Sequence, residues 1–249
     1  MTQYNHDFYA DQSPGSTQSA EIVLPLVTDL LSPTSVVDVG CGVGTWLKVA
    51  QHMGIADVIG IDGAYARGVG LQIDDACFVA ADLASAVPDL GRRFDLAMSL
   101  EVAEHLPPER SDSFVADLCS LADVVLFSAG VPTQLGTDHI NLQPQSAWIR
   151  RFGDCGYRTF DIVRPHVWSN DLVEVFYRQN AFVHVNTARA DLIAIAEQAS
   201  VALPMITDAI HPQLVAFWER RATRPVSTVQ GARLTWSAAS DAVRRRLRR

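Results

Sequence analysis

Short β-branched runs alternate with segments whose apolar residues recur every three or four positions along the first two thirds of the chain. That alternation predicts a parallel sheet covered on both faces by helices. The pattern places strands at 35–39, 58–61, 76–80, 94–99 and 124–128, and helices at 20–31, 45–53, 111–121 and 144–152. After Gly156 the rhythm changes. Two strands, 157–163 and 172–185, follow one another without an intervening helix, which predicts an antiparallel hairpin at the sheet edge. From Thr187 the chain reads as an apolar helix at 192–201 and then as loose structure punctuated by Pro204, Pro212 and Pro225. The expected division is a main domain at 1–186, with an N-terminal cap and helix in 1–31. A helical extension at 187–249 would cap a site or make a homodimer contact.

The 249 residues, 48% of them apolar, can bury the core of one large α/β domain plus an extension. No stretch approaches the roughly 20 apolar residues that span a bilayer. The polar start MTQYNHDFYADQS precedes no apolar signal core, so a soluble cytoplasmic protein is expected. Cys41, Cys77, Cys119 and Cys155 form no CxxC pair, and each is expected to be a reduced, buried small hydrophobe. The net charge of −8 hides an asymmetry: residues 219–249 hold nine Arg against Glu219 and Asp241, about +7, leaving about −15 for the rest. An acidic body argues against a large nucleic-acid footprint. The Arg-rich tail reads as a solvated helix end.

Within this frame one turn stands out. In VVDVGCGVGTW a buried strand runs into Gly40, Gly42 and Gly44, and a helix follows. Glycines let the backbone turn tightly and approach a ligand without a Cβ in the way. Asp62 ends the second strand about 20 residues later, where a carboxylate can accept both hydroxyls of a ribose. Asp82 and Leu83 follow the third strand, placed to meet an adenine. A nicotinamide-dependent oxidoreductase would share the glycine turn and Asp62, and that class stays open, as does a catalytically silent scaffold.

The motifs VVDVGCGVGTW, VIGID, AADL and FDLAMSLEVAEHL resemble those of the class I S-adenosylmethionine (SAM)-dependent methyltransferases. The resemblance covers 35–128 well and the last 65 residues hardly at all. It implies a Rossmann-like, doubly wound, mostly parallel seven-stranded sheet with an antiparallel edge hairpin. It also implies that Asp38, Gly40, Gly42 and Gly44 hold the methionine part of SAM, Asp62 the ribose, and Asp82 with Leu83 the adenine. Tyr9, Ser16 and Ser19 resemble an N-terminal segment that closes over SAM in some members.

Glu101, Glu104 and His105 stand at i, i+3 and i+4, so a helical turn would put them on one face. They sit at the carboxyl end of a central strand, where such folds place their chemistry. His139, just past the fifth strand, lies at the same edge. Two carboxylates and two imidazoles could hold a divalent ion with positions left open. The set resembles the Mg²⁺-dependent small-RNA 2′-O-methyltransferases, and the O-methyltransferases of ubiquinone biosynthesis carry a similar Glu-x-x-Glu-His unit. Metal-free relatives also have a Glu-His pair there, supporting the helix start. An ion would suit O-methylation, because an alkyl hydroxyl is barely ionised at neutral pH; without one, His139 is the candidate base.

His166 is a second-tier candidate, and His6, His52, His184 and His211 read as packed or solvated. Trp148, Trp168 and Tyr177 alternate with Arg164, Asn170 and Arg178, a mixture that suits a sugar face or ordinary core packing. The segment from Gly136 to Trp168 with VFYRQN resembles methyltransferases of glycan and glycosylated-metabolite pathways. That resemblance implies a small-molecule or oligosaccharide acceptor methylated on a sugar hydroxyl, with a ribose 2′-hydroxyl at an RNA end as the second choice.

Overall fold

The computed structural model describes residues 6–132, 134, 136, 138–200 and 205–222, with backbone alone for 6–14, 217, 218 and 220–222. The Arg-rich tail, Pro204, Pro225 and the side chains of His6 and Tyr9 lie outside the described residues. In chain order the elements are α1 (His6–Leu31), β1 (Ser35–Val39), α2 (Thr45–His52), β2 (Asp57–Asp62), α3 (Tyr65–Val69), β3 (Phe78–Ala80), β4 (Leu96–Leu100), α4 (Ser111–Leu121), β5 (Val124–Ser128), α5 (Gln145–Asp154), β6 (Tyr157–Phe160), α6 (Arg164–Val167), α7 (Val175–Asn180), β7 (Phe182–Asn186), α8 (Ala190–Ala199) and α9 (Pro212–Ala222). By Cα proximity the chain divides into compact units Met1–Leu214 and Val215–Arg249, so α8 belongs to the first.

The sheet runs β3-β2-β1-β4-β5-β7-β6. The first five strands are parallel; β7 pairs antiparallel with both β5 and β6, so it alone runs against the others. Side-chain alternation sorts the strands onto two cores. Val36, Leu96, Met98, Val124, Leu126, Val183 and Val185 face one core, with α1 and α2. Val37, Val39, Ala97, Val125 and Phe127 face the other, with Phe114 of α4 and Phe152 of α5. Strand order reverses between β1 and β4, and the crevice beyond their carboxyl ends is where such sheets bind ligands.

The expected antiparallel edge pair is present as β6 and β7, but its second strand and its connection differ from the expectation. Strand 172–185 does not exist as one element: α6 and α7 intervene, and only Phe182–Asn186 is extended. Val173 and Tyr177 are buried at i, i+4 spacing, so this apolar run serves a helical turn before it serves a strand. The expectation of four buried thiols also fails. Cys41 is buried, Cys77 and Cys119 are half-buried, and Cys155 is exposed, its thiol touching that of Cys119.

His184 is a core residue, stacked on Phe152 at 3.6 Å with Nδ1 2.8 Å from Thr159 Oγ1 and Nε2 unpartnered. Burial drives its pKa down to about 3. A base held neutral in the fold favours folding above its ordinary value near 6.5, and that contribution is lost as pH falls toward 3. Urea midpoints should therefore drop between pH 7 and 4.5, and His184→Leu should flatten that limb. An unchanged limb would contradict the assignment.

Candidate active site

A cavity of about 780 Å³ opens at the carboxyl ends of β1, β2 and β4. That is the size range of small-molecule sites. Its floor is the glycine turn. Gly40, Gly42 and Gly44 have φ of 87°, 56° and 86°. At Gly40 the left-handed backbone coincides with a close approach: a Cβ there would lie 2.3 Å from Val102 Cγ2. The turn is tied to β2, since the Gly40 amide donates to Ile61 O and the Gly42 amide to Asp62 Oδ2, both at 2.7 Å.

The cofactor residues expected from the sequence all fall on or beside this cavity. Asp38, Asp62, Asp82 and Leu83 line it with Gly40 and Gly42, and Gly44 closes the turn against Ile73. Asp38 is buried, and burial together with nearby Asp62 pushes its carboxyl up to about 8. Asp62 already accepts from the Gly42 and Gly63 amides and from the Tyr65 hydroxyl. Gripping both hydroxyls of a ribose would therefore require the Tyr65 hydroxyl to swing away. Asp82 caps a turn, accepting from Ala84 N and Ser85 Oγ.

Of the N-terminal candidates, Ser16 lines the cavity. Ser19 instead fastens α1 to the turn before α7, donating to Gly15 O at 2.7 Å and accepting from Glu174 N at 2.9 Å.

Beyond β4 the chain enters a 3₁₀ turn at Ala103–His105 after Glu101, whose φ of 57° is rare for a non-glycine residue. The Glu104 carbonyl accepts from the Ile140 and Asn141 amides at 2.9 and 3.0 Å, and Asn141 Nδ2 reaches Ala103 O. These bonds stitch the loop after β5 to the turn after β4. They bring the His105 and His139 rings to 4.7 Å, edge to face. His139 Nδ1 lies 2.8 Å from Gln134 O; a carbonyl only accepts, so Nδ1 carries the proton and Nε2 keeps a lone pair.

One atom each from Glu104, His105 and His139 lie within 4.8 Å of one another. Glu104 is wholly buried, and neither of its oxygens has a hydrogen bond of sound geometry. Burial and the adjacent Glu101 carboxyl raise its pKa well above the carboxylate range, while the Glu104 and Gly130 amides oppose this weakly. Burial and His139 lower His105 to about 4. A buried carboxyl within reach of two imidazoles fits a divalent cation, which would favour the carboxylate and accept lone pairs from the ring nitrogens.

Glu101 abuts Glu104 but is held by other partners. Its Oε2 accepts from Gln134 Nε2 at 2.7 Å and its Oε1 from Asn180 Nδ2 at 3.1 Å. Glu101, His105 and Asp138 line the cavity, whereas Glu104 and His139 do not, and both lie close to His105.

The other sequence candidates scatter. His166 is exposed and absent from the cavity wall. Trp148 packs in the core at 5.4 Å from Phe127, and Trp168 lies 4.6 Å from His211. Arg164 is buried on Asp161 and Arg178 on Asp171. Only Tyr177 of the proposed sugar face reaches the cavity. Gln134 and Asn180, which hold Glu101, went unnoticed in the sequence; the one signal was that Gln134 stands five residues before His139.

This architecture is the Rossmann-like methyltransferase fold. Residues 12–128, just under half of the chain, match the model of the family "Methyltransferase domain". The chain is 38% identical over 78 residues to a ubiquinone biosynthesis O-methyltransferase of Cereibacter sphaeroides, covering 28% of the chain and 30% of that protein. The corresponding protein of Azorhizobium caulinodans is 35% identical over 80 residues with the same coverage. The chain thus aligns with under a third of the length of these curated relatives. Among solved structures, Streptomyces venezuelae DesVI superimposes with a TM-score of 0.55 at 17% identity, over 72% of this chain and 95% of that one. The sugar N-methyltransferase KedS8 from Streptoalloteichus sp. gives 0.55 at 16%, over 72% and 91%.

Proposed function

We propose that the protein is a SAM-dependent O-methyltransferase acting on a sugar hydroxyl of a glycoside, oligosaccharide or polysaccharide, with a divalent ion's assistance. The observation that carries this reading is the Glu104–His105–His139 cluster, which meets a cofactor-sized cavity at His105. Methyl transfer is an in-line displacement at the sulfonium carbon, so the chain's part is to hold both partners and ease removal of the hydroxyl proton. A bound divalent ion would supply charge stabilisation for the developing alkoxide and fix the acceptor's orientation. Glu104, His105 and His139 would hold it, and Glu101, fixed by two carboxamides, faces the acceptor's approach. The expected ion was Mg²⁺; two imidazoles and one carboxylate suit Mn²⁺ or Co²⁺ better. The described cavity wall has no lysine or arginine to meet phosphates, which favours a neutral sugar over an RNA end.

Transfer of labelled methyl from SAM to a glycoside panel tests this. EDTA should cut the rate at least about tenfold, and added Mn²⁺ should restore it. An unchanged rate in EDTA and in Glu104→Ala would remove the ion and leave His139 Nε2 to take the proton.

Asp38 makes SAM binding pH-dependent. In the empty protein its carboxyl is protonated below about pH 8. The ammonium of SAM favours the carboxylate, so bound Asp38 ionises at lower pH. Affinity should rise from pH 6 to 7.5, by up to about tenfold per pH unit, and Asp38→Asn should be flat in calorimetry. A flat wild-type profile would contradict this role.

A further inference from the structure

The described cavity wall carries five carboxylates, from Asp38, Asp62, Asp82, Glu101 and Asp138, and neither lysine nor arginine. SAM brings an amino-acid end with both an ammonium and a carboxylate. Asp38 suits the first. The second has no cation to meet among the described lining residues, so neutral donors must take it.

Three such donors converge. Tyr177, brought in by α7, lies on the cavity wall with its Oη 3.5 Å from Ser16 Oγ of α1, a long contact that leaves both hydroxyls able to reorient. Trp46, in the first turn of α2, stands edge-on to Tyr177 at 5.0 Å. Its buried indole Nε1 has no hydrogen bond of sound geometry, although it lies near enough to Tyr177 Oη to favour charge there slightly. Tyr65, another lining hydroxyl, already donates to Asp62. An indole N–H facing the oxygen side of Tyr177 leaves the phenolic proton to point into the cavity.

We infer that Tyr177, backed by Trp46 as a positioning residue and flanked by Ser16, forms a neutral hydrogen-bonding corner for the carboxylate of the cofactor's amino-acid end. The inference rests on the SAM reading of the cavity. It assigns Tyr177 to the cofactor and not to a sugar acceptor.

The test pairs variants with ligands. Binding of SAM and of decarboxylated SAM would be measured by calorimetry on the full chain, its fold checked by circular dichroism. Tyr177→Phe should weaken SAM about tenfold and change decarboxylated SAM less than twofold. Trp46→Phe, which keeps the ring edge but removes the N–H, should show the same split at smaller size. Equal losses for both ligands would mean a structural role and overturn the inference, as would no loss for either. If the wild-type chain binds neither ligand, the SAM reading falls and the inference with it; if it binds SAM and the variants show no split, only the inference falls.

Discussion

Glu104→Gln should lower methyl transfer about a hundredfold or more while leaving SAM affinity and the metal-free fold nearly unchanged. The asymmetry follows from the burial of this side chain. With no ion present, burial and Glu101 push its pKa well above the carboxylate range and so favour the neutral acid, whose shape and charge glutamine copies. Stability without metal should then differ by no more than about 1 kcal/mol. With Mn²⁺ the two proteins should part company. An ion that binds only the folded state raises stability by mass action. The wild-type unfolding temperature should climb with Mn²⁺ concentration, and the variant's should not. A variant that keeps full activity, or the same Mn²⁺-dependent shift, would remove Glu104 from the ligand set.

Gly40→Ala should be the most damaging single change at the cofactor turn. A non-glycine residue at φ of 87° costs about 1–3 kcal/mol. The new methyl, 2.3 Å from Val102 Cγ2, adds overpacking of about 1–3 kcal/mol. Val102 stands between Glu101 and the turn bearing Glu104 and His105, so relief of the clash would displace the proposed metal site as well as the cofactor loop. Denaturant titration should show a loss of about 2–6 kcal/mol. Adding Val102→Ala should return the steric share but not the backbone share, giving a clearly non-additive pair. Simple additivity would show that the contact is absent.

These two sites differ in how far the sequence announced them. The glycine turn and Asp62 are local signals: a tight turn needs positive φ, and the residue ending the next parallel strand must fall beside it. The buried strands β1 and β5 were legible to the residue, because short apolar runs between turn signals leave little choice of boundary. The cluster of Glu104, His105 and His139 was half legible. The i, i+1 pair is visible in the chain, but its meeting with His139 depends on the Glu104 carbonyl taking the Ile140 and Asn141 amides.

Glu101 shows where pattern stops. Its spacing from Glu104 suggested a shared ligand face, yet it bonds carboxamides 33 and 79 residues away, which no periodicity encodes. Tyr177 was misplaced for a related reason. Its run 172–185 is short, apolar and aromatic, and such a run does not distinguish a helical turn from a strand until its neighbours pack against it. The short helix α7 is what carries Tyr177 to the cavity wall.

The central claim is that the glycine-turn cavity holds SAM. Calorimetric titration of the full chain with SAM and, separately, with NAD tests it most directly. The account predicts saturable one-to-one binding of SAM, weakened and independent of pH in Asp38→Asn, and no measurable binding of NAD. Tight NAD binding with none of SAM would contradict it.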